Sequence, residues 1–213
     1  MSYKDLKSYQ QATIIYDFTV NFCDLHIDKK SRTHDQMVQA ARSGKQNLAE
    51  GSAERAEKNE LYLLGIARAS FQELLEDYED FLRQKGLKQW NKDSPEAAAV
   101  RGLAYGTDRA DRMDVSDRTN GAGRADKSYI GKPEDAANAA LCLIHQTNFL
   151  LDRQIKVLEE KFIKNGGYAE RLRKARDEEK KRRLIGSFYD PHPKDWREVL
   201  AEVHRTKEGR KGE

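Results

Sequence analysis

Apolar residues recur three and four positions apart along four long segments of the chain. That spacing places them on one face of an α-helix and is typical of the seams between packed helices. The first two stripes are Leu6, Tyr9, Thr13, Tyr16, Val20, Cys23 and Ile27, then Met37, Ala41, Gly44 and Leu48. The other two are Leu61, Leu64, Arg68, Phe71, Leu75, Tyr78 and Leu82, then Ala137, Leu141, Ile144, Asn148, Leu151, Ile155, Leu158 and Phe162. Few strand-like patterns compete, so the sequence predicts an all-α protein.

Capping and helix-ending residues fall between the four segments. Connections at 28–33 and 51–57 are short, which predicts antiparallel neighbours in an up-and-down four-helix bundle over residues 1–167. A helical C-terminal extension is predicted over 168–213. The boundary residues are Ser31 or Thr33 before the second helix, Gly51 and Ser52 near its end, Gly86 after the third, Pro133 at the start of the fourth, and Gly166 and Gly167 after it.

A long insertion, about 91–132, separates the third and fourth predicted helices. It opens with Ser94 and Pro95 followed by alanines, a capped start for a short helix. Residues 106–131 are rich in Asp, Arg and Gly and offer little to bury. We expect them to form a poorly packed polar loop with almost no apolar burial.

Composition changes this picture little, but the charge distribution adds to it. An apolar fraction of 38% with 35% charged residues suits long amphipathic helices with solvated faces. The formal net charge of +3 is concentrated at the C-terminus, where residues 168–213 carry 14 Lys and Arg against 10 Asp and Glu. Residues 1–167 are close to neutral. A nucleic-acid interface is therefore expected in the extension.

The basic residues of the extension are candidate phosphate contacts, and two aromatic residues are candidates for stacking on bases. They are Arg171, Arg173, Lys174, Arg176, Lys180, Lys181, Arg182 and Arg183, with Tyr189 and Trp196. Two other interpretations stay open. Glu170, Asp177, Glu178 and Glu179 offset much of the charge, as in a solvated helix. The extension can also dock on the bundle or on a partner protein.

Signatures of catalysis and of metal binding are missing. The histidines (His26, His34, His145, His192 and His204) lack the spacing of metal ligands, and His145 is expected to be a partly buried, hydrogen-bonded residue. Cys23 and Cys142 lie in apolar helical runs, which favours two small buried side chains. We expect no enzyme activity, catalytic residue, metal or cofactor. No signal-peptide or membrane-spanning pattern occurs, so a cytoplasmic protein with no membrane partner is expected.

Several motifs resemble a known bacterial family. They are Tyr3-Lys4-Asp5-Leu6-Lys7, the run from Gln39 to Gly51 that ends Asn-Leu-Ala-Glu-Gly, Ala67-Arg68-Ala69-Ser70 with Glu73-Leu74-Leu75, and the segment from Cys142 to Leu158. The chain resembles the four-helix-bundle proteins of ribosomal-RNA intervening sequences and the accessory variability proteins of diversity-generating retroelements. Its tail resembles that of the suffix-bearing subgroup.

The resemblance implies a ring-shaped homopentamer. For the retroelement members it also implies binding of nucleic acid, RNA or DNA, and of a reverse transcriptase. The bundle of those members is strongly basic, whereas residues 1–167 here are nearly neutral.

The second predicted helix carries a polar stripe within the family motif. A structural role is expected, as a buried polar network or a subunit contact, although a binding site stays open as an alternative. A carboxylate that faces Arg68 or another helix would fix the register of the helices. The stripe and its partner are Arg42, Asn47, Glu50 and Arg68.

Two functions from different classes therefore remain. One is a non-enzymatic, oligomeric accessory protein that binds structured RNA or belongs to a reverse-transcriptase ribonucleoprotein. The other is a protein-interaction scaffold that binds no nucleic acid. Extra apolar residues beside the first and fourth stripes predict that the protein associates with itself. They are Ile14, Ile15, Phe18, Leu143, Leu150 and Val157.

Overall fold

The computed structural model describes residues 2–106 and 129–188, and all regular secondary structure in those ranges is helical. The all-α prediction is confirmed for this part of the chain. None of the helices described there is both long and apolar enough to cross a membrane. The elements are a 3-10 helix (Tyr3–Asp5), α1 (Lys7–His26), α2 (Arg32–Ala53), α3 (Glu57–Lys85), α4 (Pro95–Gly106), α5 (Pro133–Asn165) and α6 (Tyr168–Phe188).

The contacts divide the chain into two compact units, Met1–Tyr168 and Ala169–Glu213. In the first unit, α1 packs against α2 and α5, and α3 packs against the same two helices. One hydrophobic core lies between these four helices. α4 packs on the outside of α5.

Side-chain contacts give the directions of the helices. The Ser8 hydroxyl, at the start of α1, donates to Gln154 Oε1 near the end of α5 at 2.9 Å. His26, the last residue of α1, donates from Nε2 to the carbonyl of Ile130, just before α5, at 2.7 Å. α1 and α5 therefore run antiparallel. The Lys45–Tyr16 and His34–Asp24 contacts show the same for α1 and α2, and the Arg68–Asp152 and Trp90–Asn138 contacts show it for α3 and α5.

The predicted helix boundaries are largely confirmed. The Ser31 hydroxyl accepts a hydrogen bond from Thr33 N at 3.2 Å and caps α2. Gly86 ends α3 in the left-handed region with φ 65°, where a residue with a side chain is strained. Pro133 opens α5. Gly51 does not end α2, since the helix continues to Ala53.

Two glycines of α2 allow close approach to α3. A Cβ built on Gly44 would lie 2.6 Å from Phe71 Cζ, and one on Gly51 would lie 3.2 Å from Leu63 Cβ. Neither position has room for a side chain without movement of its neighbour. These two glycines therefore permit the close packing of α2 on α3.

The core stripe predicted for the first helix is wrong. Of its seven members only Cys23 is buried, whereas Ile15, Phe18 and Phe22 lie in the core at 2%, 4% and 0% exposure. The buried face is offset by one residue, a rotation of about 100° around the helix. Phenylalanine has no polar group to keep in water, so it takes the interior, while Tyr9 and Tyr16 sit half-buried at the margin. All four members of the second stripe are buried, as are most members of the third and fourth.

The insertion begins with an ordered helix. The Ser94 hydroxyl accepts from Ala97 N at 3.2 Å at the start of α4, and Ala97 and Val100 are buried. Tyr129 and Ile130, at the other end, pack partly buried against the core. The expectation that 106–131 adds almost no apolar burial is therefore wrong at its C-terminal end. Residues 107–128 lie outside the described part of the chain.

Candidate nucleic-acid interface and a cationic cavity

The helix α6 carries the predicted phosphate-binding residues. Arg173, Arg176, Lys180 and Arg183 lie three, four and three positions apart, so they share one side of the helix over about 15 Å. All four are exposed, and we refer to them as the basic ridge. The acidic residues of α6 are not members of this line, although Asp177 and Glu179 lie beside it.

Part of this charge is paired within α6. Lys180 Nζ lies 3.8 Å from Asp177 Oδ1, and Arg183 Nε lies 3.1 Å from Glu179 Oε1. Arg173 and Arg176 form no ion pair with the described residues. Exposed pairs of this kind contribute little free energy, so a phosphate can replace the carboxylates. Off the ridge, Arg182 also pairs with Glu179, while Arg171, Lys174 and Lys181 are partly or wholly exposed.

The residues that lead up to α6 make defined contacts within the first unit. The Tyr168 N–H donates to Glu57 Oε2 at 3.0 Å, and Glu57 is only 5% exposed. Gly166 has φ 71°, and a Cβ on Gly167 would lie 2.9 Å from the Phe162 ring. A carboxylate at a helix N-terminus is favourable because the first N–H groups there lack helical partners. Tyr189 and Trp196, the predicted stacking residues, lie outside the described residues.

The structure brings together only part of the predicted polar motif. Asn47 Nδ2 donates to the Ser43 carbonyl at 2.9 Å, and Ser43 Oγ meets Ser70 Oγ on α3 at 3.0 Å. Arg42 and Glu50 are exposed, and the Glu50 carboxylate accepts from Gln46 on its own helix. The carboxylate that faces Arg68 belongs to Asp152 on α5, at 3.0 Å. Of the partners expected for the motif's carboxylate, Arg68 is therefore paired elsewhere in the described part of the chain.

A cavity of about 580 Å³ opens between α4, α5 and the segment that follows α3. This volume is in the range typical of small-ligand sites. Its wall combines aromatic rings, amides and cationic groups, and no described lining residue is acidic. The lining residues are Gln89, Trp90, Asn91, Lys92, Ala97, Arg101, Asn138, Leu141, Cys142, His145, Gln146 and Phe149.

Asn138 fixes the wall on the Trp90 side. The Asn138 amide is 2% exposed, accepts from Trp90 N at 2.7 Å and donates to the Lys88 carbonyl at 2.8 Å. The Asn138 side chain therefore hydrogen-bonds the backbone of residues 88–90 in the way that a neighbouring β-strand would. The Trp90 ring also meets the edge of the Tyr129 ring at a centroid distance of 6.3 Å.

Gln146 supplies a polar group in the wall. Its Nε2 donates to the Arg101 carbonyl on α4 at 3.3 Å, and the residue is 6% exposed. A carbonyl can only accept, so the amide nitrogen faces Arg101. Gln146 Oε1 is buried and has no partner among the described residues.

Both thiols are held in their protonated form by burial. Burial raises the pKa of Cys23 to about 12, and burial also raises the pKa of Cys142, against the opposing charge of Arg101. A thiol whose pKa is raised stays protonated at neutral pH and is therefore a poor nucleophile. Within residues 2–106 and 129–188, His, Cys, Asp and Glu form no cluster that fits a metal ion. His145 is exposed at the cavity, which corrects the expectation of a partly buried residue.

The chain matches no protein-family model, no curated protein and no solved structure.

Sequence reasoning missed the cavity because its residues come from separate parts of the chain. One signal was available: Asn138 and Gln146 are polar residues beside the apolar stripe of the fourth predicted helix. Polar groups that are buried in this way require partners.

Proposed function

We propose that this protein is a non-enzymatic accessory protein that binds structured RNA through α6. The observation that carries the proposal is the basic ridge, four exposed cations on one side of a helix. α6 has no continuous apolar stripe to bury, so packing does not explain its composition. A line of exposed cations releases counterions when it meets phosphates, which favours binding to nucleic acid.

We further propose that α1, α2, α3 and α5 form an antiparallel up-and-down four-helix bundle that assembles into a cytoplasmic homo-oligomer. The ring of helix contacts around one core and the antiparallel pairs support the bundle. The motif resemblance supports the pentamer and a reverse transcriptase as a protein partner. Several copies of α6 on one particle strengthen weak individual contacts through avidity.

The test compares two variants of α6 that remove equal charge. One carries Arg173→Ala, Arg176→Ala, Lys180→Ala and Arg183→Ala, and the other carries Arg171→Ala, Lys174→Ala, Lys181→Ala and Arg182→Ala. Affinity for an RNA hairpin is measured against salt concentration. Each phosphate contact contributes roughly 0.7–0.9 to the slope of log affinity against log salt. We expect the slope for the ridge variant to be smaller than that for the unaltered protein by about 3. The slope for the matched variant is expected to change much less.

Two outcomes contradict parts of this proposal. Equal losses in the two variants exclude the ridge as the specific contact, since net charge alone then explains binding. Absence of RNA affinity in the unaltered protein at low salt contradicts the function itself.

The scaffold function has one observation in its favour. Val157 and Ile163, on the outer part of α5, are 65% and 81% exposed. Exposed apolar residues on one helix are suited to a protein partner. A protein that assembles and captures a partner while failing to bind RNA would support this alternative.

A further inference from the structure

The cavity between α4 and α5 has the chemistry of a site for an aromatic anion. Trp90 and Phe149 supply rings, and Phe149 is 55% exposed. Lys92, Arg101 and His145 supply cationic or protonatable groups, and no described lining residue is acidic. Aromatic rings beside cations favour a planar body that carries a negative charge.

Gln146 adds a requirement for a hydrogen-bond donor. Its Nε2 is used by the Arg101 carbonyl, and its Oε1 is a buried acceptor without a partner, which a ligand reaches when the side chain turns towards the cavity. An unpaired buried acceptor costs free energy, so a ligand that donates to it gains more than an exposed contact would give. An inorganic anion has little to donate, and an apolar ligand has nothing.

We propose that this cavity binds one nucleotide. The base packs against Trp90 and Phe149 and donates an N–H to Gln146 Oε1, while the phosphate lies against Arg101 and Lys92. Nucleic-acid bases combine a stacking face with N–H donors on their edge, and the phosphate supplies the charge that the cations need. The inference does not rest on α6, because every residue involved lies in the first unit.

The ligand can be a free nucleoside monophosphate or an unstacked nucleotide of a bound strand. The two sources share the same chemistry and are separated by the length of the probe. In the ridge variant, where α6 does not contribute, tighter binding of a 5′-phosphorylated tetranucleotide than of the monophosphates assigns the site to a strand. Equal or weaker binding assigns it to a free nucleotide.

The experiment titrates the full chain with each of the four ribonucleoside monophosphates and with inorganic phosphate. Trp196→Phe serves as the background, so that the fluorescence reports on Trp90. We expect saturable quenching by at least one nucleotide with Kd below about 1 mM, and weaker binding of phosphate. Calorimetry on the same samples gives an independent affinity.

Two substitutions test the assigned contacts. Arg101→Met keeps the length of the side chain and removes its charge, and we expect affinity to fall about tenfold or more. Gln146→Met removes the acceptor, and we expect it to reduce the discrimination between bases. Thermal unfolding of each variant confirms that it is folded. Lys58→Met, which removes an exposed cation on α3 away from the cavity, is the control, and its nucleotide affinity is expected to be unchanged.

Three results would overturn the inference. One is the absence of saturable nucleotide binding at concentrations several times the limit of about 1 mM. Another is a phosphate affinity equal to that of every nucleotide, because the base then contributes nothing. The third is a loss of nucleotide affinity in the ridge variant while the affinity of Arg101→Met is unchanged. That result places the nucleotide on α6.

Discussion

Asp77, on α3, is a half-buried carboxyl group whose charge is unfavourable in the folded protein. Burial and the charges of Glu73, Asp80 and Glu76 raise its pKa from 3.8 to about 6. Its Oδ2 atom is buried and has no hydrogen-bond partner among the described residues. The folded state therefore binds the proton of Asp77 more tightly than the unfolded state does. The contribution of Asp77 to stability is most favourable below pH 4 and is lost as pH rises to about 6.

Replacement of this carboxyl by an amide should stabilise the protein at neutral pH. Asp77→Asn removes the buried charge, and we expect a gain of about 1 kcal/mol at pH 7.5 after allowance for solvent screening. That gain should fade near pH 4, where the carboxyl is protonated. Thermal unfolding from pH 4 to 8 measures it. Asp17→Asn, at an exposed site on α1 that does not contribute to the pKa of Asp77, is the control, and a gain that does not change with pH would contradict the assignment.

Gly44 and Gly65 make a matched pair for testing the close approach of α2 and α3. Both are helical, but a Cβ on Gly65 meets nothing within 4 Å, whereas one on Gly44 meets the Phe71 ring at 2.6 Å. Gly65→Ala should stabilise the protein by up to about 1 kcal/mol through helix propensity. Gly44→Ala should destabilise it by about 1–3 kcal/mol, since overpacking outweighs the same gain. Chemical denaturation measures both, and equal effects would show that Phe71 moves aside freely.

Single residues also show where sequence reasoning succeeded and where it failed. The positions of Met37, Ala41 and Leu48 were predictable because α2 has one apolar face. α1 has apolar residues on two neighbouring faces, and periodicity does not rank Phe18 and Phe22 above Tyr9 and Tyr16. The choice depends on the helices that α1 contacts, in particular on the Tyr78 and Phe81 rings of α3 that pack against Phe22.

Helices were easier to predict than the segments that join them. Ser31, Gly86 and Pro133 mark boundaries through local chemistry, which acts in any fold. The cavity has no such local signature, because Trp90, Arg101 and Gln146 come from three elements. The packing of α4 on α5, together with the hydrogen bonds of Asn138 to the segment after α3, brings them together.

The ends of the insertion and its middle are expected to respond differently to change. Replacing residues 107–128 by a Gly/Ser linker of equal length should leave the unfolding temperature nearly unchanged, because this segment has few large apolar residues. Ile130→Ala should lower it, since Ile130 packs against the core. Differential scanning calorimetry compares the two variants. A larger loss from the linker than from Ile130→Ala would show that 107–128 packs on the bundle.

Several apolar residues that were expected to support self-association are buried within the protomer. Ile15, Phe18 and Leu143 were expected to form part of a second apolar surface, but they are buried within the protomer at 2%, 4% and 7% exposure. Val157 remains exposed, and Ile163 joins it on α5. We therefore place the proposed self-association on the exposed apolar residues of α5 rather than on the predicted flank of α1.

Light scattering of the purified protein should return a particle several times the 24.5 kDa protomer mass, with five copies expected. Val157→Asp with Ile163→Asp should shift that particle towards the protomer, because burying two unpaired carboxylates in an interface costs more than the apolar contact gains. Leu25→Asp is the matched control, because Leu25 is 62% exposed on α1. The assembly of the Leu25→Asp variant should be unaffected. A stable protomer at micromolar concentration in the unaltered protein would contradict self-association. Dissociation by Leu25→Asp alone would move the interface to α1.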